Sequence, residues 1–288
     1  MREIAKNVYL ETDFAGVDLG VIKCPHGLVL VDSPFRIEDI RLWRLALMTF
    51  GGEIERLLIT MDSHIDRSLG VKAMECTVIG HDRLANVYRT RPITLKAQGL
   101  DAGAEWELSE GVSPVRWYPP DICFSHGLTI NCGDNLIKLE YRPGPTSDSI
   151  WVNLPDQKIV FIGDFVLTNE PPFLGQSDLL KWIENLKILA GEAYADYIYV
   201  SSRSGLVTHN DIHKQILYLE QISNAIIEHN DSAMTPLEIE QLISILLSLM
   251  KFEKHIANHF ENRLRSGLFE LFIRKSKPEV QDIQHMSD

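Results

Sequence analysis

One short apolar run that ends in a knot of charge constrains this chain more than any other feature. Leu57-Leu58-Ile59-Thr60 leads, one residue later, into Asp62-Ser63-His64-Ile65-Asp66-Arg67. The run reads as a buried strand and the hexapeptide as the loop that follows it. Carboxylates gathered at the end of a buried strand need a cation to balance them, because an unpaired buried charge is costly. The fold must therefore deliver that balance from a metal ion or from its own side chains.

The surrounding pattern is strand-rich. Val8-Tyr9-Leu10, Val17 to Ile22 and Leu28 to Val31 are predicted strands, with Pro25-His26-Gly27 as a turn between the last two. Ile40, Trp43, Leu45, Leu47 and Met48 give residues 37–50 a helical spacing, stopped by Gly51-Gly52. Val78-Ile79-Gly80 is a further strand, and a helix starts near Asp82, where His81 reads as a surface or capping residue. Leu128 to Ile130, Leu136 to Tyr141, Ile150 to Val152 and Ile159 to Ile162 follow as strands, with Pro155-Asp156-Gln157-Lys158 as a turn. Asp178 to Leu189 predicts an amphipathic helix and Tyr197 to Val200 a strand after it. Strands interleaved with helices in this way predict two sheets packed face to face with helices outside.

From Asn210 the pattern turns helical. Asn210 or Asp211 is read as the cap of a helix reaching about Ile227. Thr235-Pro236-Leu237-Glu238 has a cap residue, a proline at the first helical position and a glutamate three after the cap, so a second helix starts there. A third runs through Phe252, Ile256, Phe260 and Leu264 until Ser266-Gly267 interrupts it, and Leu268 to Ile273 reads as a strand. The chain is accordingly divided into residues 1–208 and a helical extension, 209–288.

A net charge of −12 over 288 residues argues against broad binding to phosphate backbones, and so against nucleic acid as the main partner. Cys24, Cys76, Cys123 and Cys132 are scattered without a C-x-x-C spacing, and are expected to be reduced, mostly buried thiols rather than a zinc cluster. The first residues carry no secretory pattern, and the longest apolar run, Leu242 to Met250, is far too short to span a membrane. No membrane association and a cytoplasmic location are the expectations.

Five segments, in order, resemble the metallo-β-lactamase superfamily. Gly27 to Pro34 is similar to the strand and loop before that family's first helix. The 62–67 hexapeptide resembles its H-x-H-x-D-H metal loop, and Arg142 to Ser149 its P-G-H-T-x-x-S loop. Leu154 to Asp164 looks like its hairpin ending in Gly-Asp, and Val200 to Gly205 like the loop that supplies its last histidine. The resemblance covers about residues 1–208 and implies an αββα sandwich of two packed mixed β-sheets flanked by helices. The tail of helices, glycine turn and strand resembles the small winged-helix appendage of some members. It could pair two chains as a homodimer or dock on its own sandwich.

Carried over residue by residue, the family's seven ligand positions are Asp62, His64, Asp66, Arg67, Pro145, Asp164 and Arg203. His64 is the one first-site histidine kept, and both second-site histidines are arginines. Arginine stays protonated and has no lone pair to give a metal. The resemblance therefore implies that Arg67 and Arg203 pair with Asp66 and Asp164 and supply the second ion's charge, so that dinuclear zinc is not expected. The leading expectation is a divergent member that binds or acts on a small anionic ligand without the usual zinc pair, with Arg67, Arg203, Thr146 and Ser147 as ligand contacts and His64, Asp66 and Asp164 as candidate catalytic groups. The alternative is a hydrolase of an ester, thioester or lactone with one divalent metal (Mn, Fe or Zn) on Asp62, His64 and Asp164. Without a metal-bound water, His64 as a general base would contribute only ~10² to 10⁴-fold.

Overall fold

The structure, a computed structural model, describes residues 1–51, 55–91, 102–109, 117–133, 135–229 and 234–276. Gly52 of the expected Gly-Gly stop lies outside the described residues. Strands β1 (Arg2–Ala5), β2 (Val8–Glu11), β3 (Leu19–Cys24) and β4 (Gly27–Val31) form an antiparallel meander. Strands β5 (Glu55–Ile59), β6 (Thr77–His81) and β7 (Ile122–Phe124) extend that sheet in parallel. The second sheet holds β8 (Gly127–Cys132), β9 (Asn135–Tyr141), β10 (Ile150–Leu154) and β11 (Ile159–Gly163), again antiparallel. Strand β12 (Ile198–Ser201) then pairs parallel with β11, and β13 (Gly205–Val207) antiparallel with β12.

Successive strand residues face opposite sides of a sheet, which divides each apolar run between two cores. Val29, Val31 and Ile59 point inward and meet Ile137, Leu139, Val152 and Phe161 between the sheets. Leu28, Leu30 and Leu58 point outward and pack on Trp43 and Leu47 of α1 (Ile37–Leu47). On the far side, Trp151, Val160 and Ile162 pack on Trp182 and Leu186 of α5 (Leu179–Leu189). Both faces of β11 are covered, so all five of its residues are buried and it reads as an unbroken apolar run. The short helices are α2 (Ile65–Ser68), α3 (Asp82–Thr90) and α4 (Glu105–Leu108).

The C-terminal helices α6 (His209–Glu228), α7 (Pro236–Ser248) and α8 (Ala257–Ser276) join the outer core of the second sheet. Ile212, Leu219, Leu246, Leu264 and Leu268 share one apolar cluster with Trp151 and Trp182. Thr208, not Asn210 or Asp211, caps α6: its side chain accepts from the Asp211 amide, and Asp211 completes a capping box. The Thr235 box forms as its sequence predicts. Leu268 to Ile273 is helical rather than a strand, so the described residues contain no wing. Gly267 does not stop α8; a Cβ there would lie 2.8 Å from the Leu174 Cβ, and glycine lets the helix approach that closely.

The cysteine expectation also needs correcting. Cys24 at the end of β3 and Cys132 at the end of β8 form a disulfide that ties the two sheets, while Cys76 and Cys123 are free thiols. Sequence spacing says nothing about which strand ends meet in space. No helix among the described residues is long and apolar enough to cross a membrane.

Candidate functional site

The carboxyl ends of the parallel strands converge and carry the charged residues. Asp32 follows β4, Asp62 follows β5, Asp164 follows β11 and Arg203 follows β12. Gly163, at φ 60°, turns the chain sharply so that Asp164 faces the hexapeptide, and its carbonyl accepts from the Ser202 amide at 3.0 Å. His64 caps the single turn of α2, which swings Asp66 and Arg67 inward beneath the loop.

Arg67 is wholly buried. Its Nη1 donates to Asp62 Oδ2 at 3.0 Å and lies 3.7 Å from Asp32 Oδ2, and its Nη2 donates to Asp164 Oδ1. Arg203 Nε donates to the other Asp164 oxygen at 3.3 Å, and its Nη2 donates to Asp66 Oδ2 at 3.0 Å. Asp164 is therefore held between two guanidiniums. The two arginines pair with Asp66 and Asp164 as expected, Arg203 taking both and Arg67 taking Asp164, and Arg67 adds Asp62, which the expectation did not include. Asp66 closes its shell with backbone, accepting from the amides of Glu105 and Trp106 at 3.1 and 2.9 Å.

The electrostatics follow from burial. Burial alone would push the Asp164 carboxyl up, but Arg67 and Arg203 together hold it below the usual carboxylate range. Asp62 is pushed up, first by burial and then by Asp164 and Asp32, against the pull of Arg67. Burial and the Arg203 and Arg67 charges hold His64 well below the ordinary imidazole range, so it is neutral. Its Nδ1 lies 2.7 Å from Arg203 Nη2 and 3.3 Å from the Asp66 amide, both donors, which makes Nδ1 the acceptor. Among the described residues, no group of three or more His, Cys, Asp and Glu side chains is placed to hold a metal ion.

The remaining expected residues lie apart from this network. Thr146 is buried but gives its hydroxyl to Asp148, beside Ser149, and Ser147 is exposed. Neither bonds to Arg67 or Arg203, because the 143–149 loop closes on itself. Pro145 brings no donor atom. His81 caps α3, accepts from the Arg83 amide at 3.2 Å and stacks on Tyr141, as its place before a helix suggests.

Sequence reasoning missed a second ring of residues. Asp32 is fully buried, accepting from the Met61 amide at 2.9 Å and from Ser202 at 3.2 Å. Its position after an apolar strand, in a segment already similar to a family loop, was the available signal. Phe173 packs its ring 4.3 Å from the His64 ring and 4.9 Å from the Arg203 guanidinium. Arg263 of α8 lies on the same phenyl ring, 4.0 Å from its centroid, and donates to the Gly103 and Pro171 carbonyls and to Glu170. Nothing local in the sequence marks Arg263 as part of the cover.

Residues 78–201 match the sequence profile of the metallo-beta-lactamase superfamily. No curated protein matches the sequence. Among solved structures, a metallo-beta-lactamase family protein from Thermus thermophilus superposes with a TM-score of 0.65 at 14% identity, over 95% of both chains. A metallo-beta-lactamase from Pontibacter korlensis gives 0.60 at 18% identity, over 76% of this chain and 97% of its own. One from Erythrobacter litoralis gives 0.56 at 15%, over 76% and 95%. The profile match is confined to residues 78–201, and the αββα architecture of the whole chain is that of metallo-β-lactamase folds. Coverage of 95% takes in helices of the C-terminal extension as well as the sandwich.

Proposed function

We propose that this is a divergent metallo-β-lactamase-fold protein in which Arg67 and Arg203 stand in for the charge of the second metal ion. It binds a small ligand beside that centre and does not run metal-hydroxide hydrolysis. One observation carries the reading: both guanidiniums are buried and forked onto Asp62, Asp66 and Asp164, the carboxylates a metal would otherwise balance. The donor set as folded does not fit a metal. Both Asp164 oxygens, Asp62 Oδ2 and His64 Nδ1 face arginine nitrogens, and Asp62 Oδ1 accepts from the His64 amide at 2.9 Å. The mononuclear hydrolase on Asp62, His64 and Asp164 is disfavoured on the same ground.

For a ligand, Arg203 offers Nη1, which is buried and has no hydrogen-bond partner among the described residues. Arg203 borders a pocket of about 250 Å³ whose wall includes Phe14, Asp18, Glu105, Glu170 and Phe260. A carboxylate would take the free donor. The acidic wall opposes a simple anion, so the ligand best supported carries one carboxylate for Arg203 and an ammonium for Asp18 and Glu105. Arg67, fully buried and forked onto two aspartates, is not proposed as a ligand contact.

Elemental analysis of protein purified without chelator tests the centre: far less than one equivalent of Mn, Fe or Zn is expected, and two tightly bound ions per chain would overturn the reading. Calorimetry with small ammonium carboxylates, against the same acids lacking the ammonium, tests the ligand. Equal affinity for the two sets would reject the acidic wall as a recognition element.

We also propose 1–208 and 209–288 as interdependent units, since α6, α7 and α8 share the core of the second sheet. A chain ended at residue 208 is expected to be insoluble or unfolded. A cytoplasmic location is retained as a proposal, although disulfides persist mainly in oxidising compartments. Alkylation of thiols in freshly lysed cells tests it, through the redox state of Cys24 and Cys132.

A further inference from the structure

Away from the charged centre, a cleft of about 700 Å³ opens between α6, the turn after α7 and the 167–169 loop. That volume lies in the range of pockets for small organic ligands. Its floor holds two polar side chains of α6. Gln215 and Tyr218 are 3% and 5% exposed, yet Gln215 Nε2 and Tyr218 Oη have no hydrogen-bond partner among the described residues. The Gln215 carbonyl end is fixed, because Oε1 accepts from the Leu167 amide at 3.0 Å, and this orients Nε2 as a donor. Two buried donors one helical turn apart, both unsatisfied, are uncommon in a folded chain, since each such group carries its full desolvation penalty.

The walls supply the rest of the chemistry. Leu206 and Leu249 line the cleft while remaining 43% and 54% exposed, and Met250 adds an adaptable apolar surface. Lys251 brings an ammonium to the lining, and Lys214 a second that pairs with the one carboxylate there, Asp211, at 3.0 Å. Behind the floor, the buried Arg263 guanidinium acts on the Tyr218 hydroxyl, although burial dominates and keeps the phenol neutral and able to donate. In a chain with a net charge of −12, this is a local field that favours an anion.

We propose that this cleft binds an amphipathic carboxylate, whose carboxylate accepts hydrogen bonds from Gln215 Nε2 and Tyr218 Oη while its apolar chain or ring lies along Leu206, Leu249 and Met250. Lys214 and Lys251 add attraction at the rim. The cleft shares Asn169 with the pocket at Arg203 but none of the residues that make the proposed contacts, and the inference does not depend on the function proposed there.

The test is displacement of 8-anilinonaphthalene-1-sulfonate fluorescence by decanoate, with stoichiometry from calorimetry. One decanoate per chain is expected, with decan-1-ol binding at least tenfold more weakly. Tyr218→Phe removes an unpaired hydroxyl, so it should leave the unliganded protein at least as stable while weakening decanoate about tenfold. Lys251→Glu, at an exposed position, should weaken it further and reduce the salt dependence. Absence of decanoate binding to the folded wild-type protein at millimolar concentration would overturn the proposal. So would binding that both variants leave unchanged, or an equal affinity for decan-1-ol.

Discussion

Replacing Arg67 with methionine tests whether the protein's own charge holds the centre together. Methionine keeps much of the side-chain volume, so the change removes a cation without opening a large cavity. The structure sets the magnitude. Arg67 bonds to Asp62 at 3.0 Å and also to Asp164, and lies 3.7 Å from Asp32, all within a fully buried cluster. At an effective dielectric constant of about 20, one contact near 3 Å is worth on the order of 5 kcal/mol of Coulomb attraction. Most of that is offset by desolvation, and removing one partner of a buried pair typically costs ~3–5 kcal/mol. Asp62 and Asp32 are already pushed up by burial, so each stabilises the fold when protonated and loses that contribution as pH rises. The variant should therefore lose about 3–5 kcal/mol at pH 8 and clearly less at pH 5. Urea unfolding followed by the fluorescence of the buried Trp43, Trp151 and Trp182 gives the readout. Adding Asp62→Asn and Asp164→Asn should restore most of the loss, because a neutral cluster no longer needs the cation. A loss below about 1 kcal/mol, or one equal at both pH values, would refute the account.

Other consequences are as direct. Asp18 is pushed up to about 6 by burial, so its contribution is complete below about pH 4 and is lost as pH rises through 6. Asp18→Asn should therefore be nearly neutral at pH 4 and stabilising by up to ~3 kcal/mol at pH 8, measured by urea midpoints at the two pH values. Cys24→Ser opens a link across 108 residues and should lower stability by ~2–4 kcal/mol; a wild-type midpoint unmoved by dithiothreitol would contradict that. Gly103 sits at φ 79°, and a Cβ there would lie 2.6 Å from the Arg263 Cβ. Gly103→Ala should lower the thermal midpoint by the equivalent of ~1–3 kcal/mol, and an unchanged midpoint would show that the Arg263 contact is dispensable.

Ten of the strands were legible, most clearly where both faces are covered and the strand appears as an unbroken apolar run, as Ile159 to Ile162 does; β1, β7 and β13, short and partly exposed, carried no such run and were not read. The charged ends of those strands were legible for the same reason: Asp62 and Asp164 stand at the point where each run stops. What the sequence could not supply was partner choice. Arg67 and Arg203 were expected on Asp66 and Asp164 with no assignment between them; the turn of α2 aims the Arg67 guanidinium at Asp62 and Asp164, while Asp66 takes Arg203 and the amides of Glu105 and Trp106. Gly267 was misread because glycine usually ends a helix, and here a packing contact with Leu174 overrides that preference. Cys24 with Cys132, and Arg263 with Gly103, are contacts across long sequence separations that no local pattern announces.

The place of Arg263 has a consequence for how the molecule is made. During synthesis the N-terminal part of a chain emerges and begins to fold first. Every residue of the charged centre, from Asp32 to Arg203, has left the ribosome well before Arg263 does. Until α8 arrives, Phe173 and the Gly103 segment lack the guanidinium that pins them. The centre can therefore be enclosed only late, by the last helix described, and until then its carboxylates and arginines meet water.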